Sequence, residues 1–396
     1  MTGSSPDMKK RLRLTMPPKH KIIPFVILLI CVALFSGPAL PQTHLKKDVH
    51  ILLLTPRNDA FWTLFAEIAQ ATAQDLGAQI TWKPAMNDAQ KQLQDALLAL
   101  QSPDKPDAMI MKNFDGTAVP IVQAAEKAGV YTLFIEEGFH PDEAAIMGRP
   151  REKYNYWLGE FLPDNFESGY QMAKLLISKA QKRFNSSRLE MVAIAGNMNE
   201  GSSLNRVKGL FAALSEHPDV ILHEISAAYW KEEDGQIKAR RLLQAYPNTH
   251  MIWTNNATMP LGAFKAVQEL HKSGQIKHRP LIGSQGTTPP AAIDVWQKRV
   301  DASTGSQFLA AAFSVVLLYD YLQGYDFASE STLMRLQVYN FDQENVENYA
   351  RTFANPGQDQ QWQNIDFRRF SKAWNPGLQK YPFGFQPILD QFKSRP

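Results

Sequence analysis

The chain has 396 residues, 44% of them hydrophobic and 11% aromatic, a composition that excludes intrinsic disorder and suits two α/β domains rather than one. Its net charge of +3 belongs to the N-terminus: the first 39 residues carry Lys9, Lys10, Arg11, Arg13, Lys19 and Lys21 against Asp7, and the remaining 36 basic and 38 acidic residues leave −2. Charges scattered over a near-neutral body form no basic stripe, which argues against a nucleic-acid partner.

Basic residues up to Lys21, an apolar run over 22–35 and then Ser36-Gly37-Pro38-Ala39 have the three-part layout of a secretory signal. The run is short for a membrane span. Residues 1–41 are therefore expected to be a signal peptide or, uncleaved, an N-terminal anchor, with the body exported to the periplasm. The single cysteine, Cys31, lies in the apolar run behind Ile30, which is too large for the usual lipoprotein signal. A body without a thiol has no disulfides, no cysteine metal site and no cysteine nucleophile. No cofactor and no metal site are expected.

The apolar run 49–54 has strand length, and the turn residues Pro56, Asn58 and Asp59 lead into Phe61, Phe65, Ile68, Ala69, Thr72 and Leu76 at helical spacing, closed by Gly77. Strand 78–84, helix 88–101, strand 108–111, helix 116–128 and strand 130–135 follow. The rhythm restarts with helix 165–183, strand 189–195, helix 203–216, strand 220–227, helix 232–245, strand 251–254, helix 259–273, strand 281–283 and a helix over 290–298. Alternation of this kind predicts an α/β protein of two Rossmann-like lobes with parallel sheets, whose binding loops follow the carboxyl ends of the strands. The last segment, 342–396, lacks the rhythm. Its aromatics Phe367, Phe370, Trp374, Tyr381 and Phe383 are read as packing across one domain, with contact to a partner as a further role for the tail.

Ile51-Leu52-Leu53-Leu54-Thr55-Pro56-Arg57-Asn58-Asp59-Ala60-Phe61-Trp62 reads as a strand, an Asn-containing turn with two aromatics, and a helix. With the stretch 108–119, Pro163-Asp164-Asn165, Val207-Lys208-Gly209 and Asn255-Asn256-Ala257-Thr258-Met259-Pro260-Leu261-Gly262-Ala263, it resembles the ribose- and galactose-type periplasmic sugar-binding proteins over about 49–341. The resemblance implies the type 1 periplasmic binding protein fold, two lobes joined by a three-strand hinge that close on a ligand like a flytrap. It puts the crossings near 161–164, near Gln307 and around 336–341. The N-terminal lobe is then 45–161 plus 308–335, and the C-terminal lobe 162–307 plus 336–396 with the extension.

The same resemblance implies that Phe61 and Trp62 from the first lobe, and Trp230 from the second, sandwich the apolar face of a ligand. Asp59, Asn113, Glu136, Glu137, Asn256, Gln285 and Gln307, at strand ends or crossings, would take its hydroxyls, with Arg206 and its neighbour Asn205 as further candidates. Three positions depart from the family: its paired Asp-Arg is Glu136-Glu137, its late Asp is Gln285, and its Asp after Asn256 is Ala257. The adjacent carboxylates raise an amine-bearing ligand such as a polyamine as the alternative to a sugar or sugar-like signal.

An enzyme acting on a small polar substrate in the same cleft is the rival from another class. The sequence has no His-Glu-x-x-His, Gly-x-Ser-x-Gly, P-loop or strand-linked Gly-x-Gly-x-x-Gly, and its histidines are scattered. A sugar-responsive repressor would carry a helix-turn-helix where this chain has its apolar run. The expectation is a monomeric binding protein that performs no chemistry. It would present its ligand to an ABC transporter permease, or to a membrane sensor in chemoreception.

Overall fold

In the computed structural model, residues 48–353 and 361–393 are described. The expected signal or anchor, and Cys31 with it, lie outside the described residues. Among the described residues no helix is long and apolar enough to cross a membrane.

The first sheet is built from β1 (Val49–Thr55), β2 (Ala78–Pro84), β3 (Ala108–Met111), β4 (Tyr131–Ile135), β5 (Trp157–Pro163) and β11 (Leu333–Leu336), in the order β11-β5-β4-β3-β1-β2. The second contains β6 (Leu189–Ala195), β7 (Val220–Ala227), β8 (Met251–Thr254), β9 (Leu281–Gln285), β10 (Ala302–Thr304) and β12 (Asn340–Phe341), in the order β12-β10-β9-β8-β6-β7. Every pairing is parallel except β10 with β12. β3, β8 and β9 are buried along their whole length, which is why these strands read as unbroken apolar runs rather than alternating ones.

Helices cover the sheets: α1 (Ala60–Leu76), α2 (Ala89–Gln101), α3 (Ala118–Ala128) and the short α4 (Pro141–Met147) on the first, then α5 (Asn165–Arg183), α6 (Gly201–Ser215), α7 (Glu232–Ala245), α8 (Met259–Lys272) and α9 (Pro289–Trp296) on the second. α1 shows how the sequence fixes these ends. Asp59 accepts hydrogen bonds from the Phe61 and Trp62 amides at 3.1 and 3.2 Å, and Gly77 closes the helix at φ 79°. The cap holds both aromatics in the first turn, beside the carboxyl end of β1.

The chain passes between sheets three times: after β5 into α5, after β10 through Gln307 into α10 (Ala310–Leu322), and from β11 to β12. The sequence pattern gives no sign of α10. Residues 310–320 are buried on every side, so the helix has no polar stripe to mark its period. It packs on α1 and on β4 and β5.

The terminal segment departs from its expected place in the second lobe and from packing on one domain. It starts there, with α11 (Val346–Phe353) against α9. It then crosses to the layer of the first sheet, where Asp75 of α1 accepts the Phe367 amide at 2.7 Å and Phe383 packs on Phe161 and Phe313 with centroids 5.5 and 4.4 Å apart. It returns in α12 (Phe385–Lys393), whose Phe385 lies 5.0 Å from Phe341 and 4.6 Å from Tyr349. The reason is the outward face of α10, which is as apolar as its inner one and needs a cover.

Asp320, fully buried on α10, anchors that cover by accepting from the Ser371 hydroxyl and from the Lys372 and Ala373 amides. Burial pushes its pKa up, against the pull of these donors. Asp320→Ala strands three donors, and we expect it to lower stability by about 3 kcal/mol or more, read from the midpoint of denaturant unfolding. An unchanged midpoint would show that the tail contributes nothing to the fold.

Candidate ligand-binding site

The carboxyl ends of the two sheets face one another across a cavity of about 600 Å³, open mouth included. From the first lobe come Arg57, Phe61, Trp62, Lys112 and Glu136; from the second come Glu200, Ser202, Arg206, Trp230, Asn256, Ala257, Gln285 and Gly286, with Gln307 at a crossing.

The aromatics are set by local geometry. Phe61 and Trp62 meet edge to face at 5.2 Å and 84°, and Trp62 rests on Phe65 at 5.4 Å. Trp230 sits at φ 68° after Tyr229 at φ 47°, two successive left-handed residues that turn the loop back on itself. Its ring lies over Gly196, where a Cβ would come within 2.3 Å of the indole. Asn256 holds this loop by donating to the Trp230 carbonyl at 2.9 Å, while its amide oxygen accepts from the Thr258 and Met259 amides and so caps α8.

The charges are organised around Lys112, which is 3% exposed. Its ammonium stands 3.0 Å from Glu137 in the first lobe and 2.8 Å from Glu200 in the second. Burial pulls it toward neutrality, but Glu200 and Glu137 outweigh that and hold its pKa above the usual lysine value. Glu200 also accepts from Trp230 Nε1 at 2.9 Å and lies 3.7 Å from Arg57. Burial would raise the Glu200 pKa, yet Lys112, Arg57 and Trp230 together bring it below the ordinary value. The Gly201 amide donates to Glu137 Oε1 at 2.8 Å, a second bond between the lobes. Arg206 donates to Asn165 at 2.9 Å and to the Asn255 carbonyl at 2.6 Å, and its burial lowers its pKa.

Glu136 is different in kind. It is 8% exposed, sits at φ 59°, and its Oε1 is buried without a hydrogen-bond partner. Burial pushes its carboxyl up to about 7, with Arg206 and Lys112 pulling the other way. It also forms part of the wall between this cavity and a second interlobe groove that includes Glu160, Arg335 and His140.

Of the residues singled out in the sequence, Phe61, Trp62, Glu136, Arg206, Trp230, Asn256, Gln285 and Gln307 are brought together here. Asp59 is not: it caps α1 and pairs with Arg57 at 2.9 Å. Asn113 accepts from the Ala118 amide at the start of α3 and donates to the Gly138 carbonyl, so its amide is structural. Glu137 holds the lobes together rather than lining the cavity, and Asn205 lines the adjoining groove. Gln285 lines the cavity, but its amide is held by Ser168 at 3.0 Å and by the Thr254 carbonyl at 3.0 Å. Sequence reasoning missed Arg57, Lys112, Glu200 and Ser202. Lys112 had a signal, since it directly follows β3; Glu200 had none, because its role depends on the other lobe.

Two α/β lobes closing a polar and aromatic cavity between the ends of their sheets define a solute-binding protein of the two-lobed, hinged class. The chain belongs to the periplasmic binding protein domain family, whose model matches residues 51–326. It is 23% identical over 239 residues, 60% of this chain and 70% of the relative, to the D-apiose import binding protein of Actinobacillus succinogenes. It is 23% identical, over 63% of this chain and 76% of the relative, to the D-allose-binding periplasmic protein of Escherichia coli. A crystal structure of a periplasmic sugar-binding protein from Pseudomonas fluorescens superposes with a TM-score of 0.75 at 27% identity, covering 86% of this chain and 99% of that one. These relatives are binding proteins, and the family is periplasmic.

Lys112→Met would leave Glu137, buried, and Glu200, partly buried and 3.7 Å from Arg57, facing each other without the cation they share. The expected outcome is a loss of about 3 kcal/mol and a larger radius of gyration by small-angle scattering as the lobes part. Glu136 acts on stability in the opposite sense to a paired carboxylate. Its folded pKa lies above the ordinary value, so its ionisation costs nothing below about pH 4.5 and destabilises increasingly up to about pH 7. Glu136→Gln should therefore melt with wild type in acid and above it in alkali, by up to about 3 kcal/mol, in melts across that pH range.

Proposed function

We propose that the cleft captures a neutral polyhydroxylated molecule, a sugar or sugar-like signal, and does no chemistry on it. The observation that carries this reading is the pairing of aromatic faces from both lobes, Phe61, Trp62 and Trp230, with charges that already neutralise one another. Arg57, Lys112 and Arg206 stand against Glu137, Glu200 and Asp59, while burial pushes the Glu136 carboxyl up to about 7. Aromatic rings suit the C–H face of a sugar and polar groups its hydroxyl rim. A polyamine would need several carboxylates without cations, and here Glu137 and Glu200 already share Lys112, which leaves Glu136 alone unpaired. The D-apiose-, D-allose-, ribose- and xylitol-binding relatives support a pentose, hexose or polyol as the ligand class.

On this reading the exported protein, whether released or held by its N-terminal segment, delivers its ligand as a monomer to the permease of an ABC transporter. Delivery to a membrane sensor is the second possible output and uses the same closed form.

Melting of the body, residues 42–396, against pentoses, hexoses, pentitols, inositols and polyamines tests this. A ligand at a hundred times its dissociation constant adds about 2.7 kcal/mol. One class of sugar or polyol should raise the melting temperature, and Trp62→Ala and Trp230→Ala should each abolish the rise. A rise with polyamines alone would overturn the reading in favour of a cation receptor.

A further inference from the structure

The terminal segment has one leg on each lobe, and the two legs are joined to each other. The first leg belongs to the first lobe. Asp75 of α1 takes the Phe367 and Arg368 amides at 2.7 and 3.2 Å, Asp320 of α10 takes the Lys372 amide at 2.6 Å, and Phe383 stacks on Phe313 at 4.4 Å and 19°. The second leg, α12, belongs to the second lobe. Its Phe385 is buried among Tyr339, Phe341 and Tyr349, with centroids 5.3, 5.0 and 4.6 Å away, and the Tyr349 hydroxyl donates to the Thr287 carbonyl beyond β9 at 2.9 Å. Gly384 is the one residue between Phe383 and Phe385. Near the other end of α12, Gln391 turns back to the first leg. Its side-chain oxygen accepts the Asp366 amide at 2.9 Å, and its Nε2 donates to the Asp366 carbonyl at 3.4 Å. Gln391 is buried, so little water competes for this pair.

We propose that α12 is a clasp across the hinge: it grips the second lobe through Phe385 and the first through Gln391, and one grip must let go before the cleft opens. The three crossings are covalent and give by small changes in backbone angle. The clasp cannot give in that way. α12 is a helix roughly 13 Å long, tied to the first leg at Gly384 and again at Gln391, so parting the lobes strains contacts that are not covalent. The weaker grip is the Gln391–Asp366 pair, two neutral hydrogen bonds that water can replace, against a phenyl ring packed among three aromatic neighbours. Opening therefore breaks that pair and leaves α12 on the second lobe. Neither Gln391 nor Phe385 lines the cavity. The clasp thus favours the closed form to the same extent whatever the ligand, and it sets how long a ligand is held rather than which ligand is chosen.

The Gly201 amide donates to Glu137 across the cleft and is released when the lobes part, so its hydrogen exchange measures opening with no ligand present. Exchange followed by NMR in wild type, Gln391→Ala, Phe385→Ala and the double variant tests the clasp, with the amide of Ile252, fully buried in β8, reporting the stability of the second lobe itself. Gln391→Ala should speed Gly201 exchange about tenfold and leave Ile252 unchanged. Phe385→Ala should speed Gly201 at least as much. The double variant should be no faster than Phe385→Ala alone, because two grips in series fail together once either is lost. Gly201 exchange that ignores Gln391→Ala would overturn the proposal. Single effects that multiply in the double variant would do the same, since the two residues would then be independent packing contacts. So would an acceleration by Gln391→Ala that Ile252 matches, which would mark loosening of the whole fold.

Discussion

The closed arrangement of the molecule depends on one buried cation. Lys112 emerges from the end of β3 into a space from which water is nearly excluded and is shared by carboxylates from both lobes. An ammonium in such a place is costly unless its partners are close and themselves hydrogen-bonded. Both conditions hold, because Glu137 also takes the Gly201 amide and Glu200 the Trp230 indole. The bridge adds orientation more than net stability, since pairs of this kind roughly balance desolvation against attraction. It holds the N-terminus of α6 in register with the end of β4, and so fixes how the walls of the cavity meet. A Cβ at Gly201 would stand 2.6 Å from Glu137 Oε1, so a side chain there would displace the carboxylate.

Around that bridge the cavity is built from chain ends rather than from regular structure. The strands deliver residues to the cleft, and short departures from ordinary backbone then aim them: Glu136 past the end of β4, and Tyr229 and Trp230 past the end of β7, all at positive φ. Each such residue costs roughly 1–3 kcal/mol and persists only where its surroundings hold it. For Trp230 these are Gly196 beneath the ring, Glu200 at its Nε1 and Asn256 at its carbonyl. The site thus has a rigid aromatic and cationic frame, with one carboxyl set apart from the ion-pair network.

Behind the hinge the molecule is unusual in the reach of its last residues. α10 is apolar on all faces, and the terminal segment covers it, tied down at Asp75 and at Asp320. Because the same segment begins and ends on the second lobe, through α11 and Phe385, and packs on the first between them, it ties the two lobes together in addition to the three crossings.

The two-lobed α/β architecture was legible in the sequence, because buried parallel strands are continuous apolar runs and their helices carry a 3.6-residue stripe, as β1 and α1 do. So were the positions that follow strands, which is why Glu136 stood out, while Phe61, Trp62 and Trp230 stood out through the resemblance to the sugar-binding proteins. The sequence could not reveal α10, since burial on all sides erases its period, nor that Asn113 and Asp59 are caps, since a capping amide and a ligand amide look alike in one dimension. Tertiary structure alone decided that Glu200 and Lys112, 88 residues apart, would share a charge, and that Glu136 would be left without a partner. Local pattern follows from each residue's neighbours in the chain, whereas ionisation and hydrogen-bond satisfaction depend on what two lobes place within a few ångströms of each other.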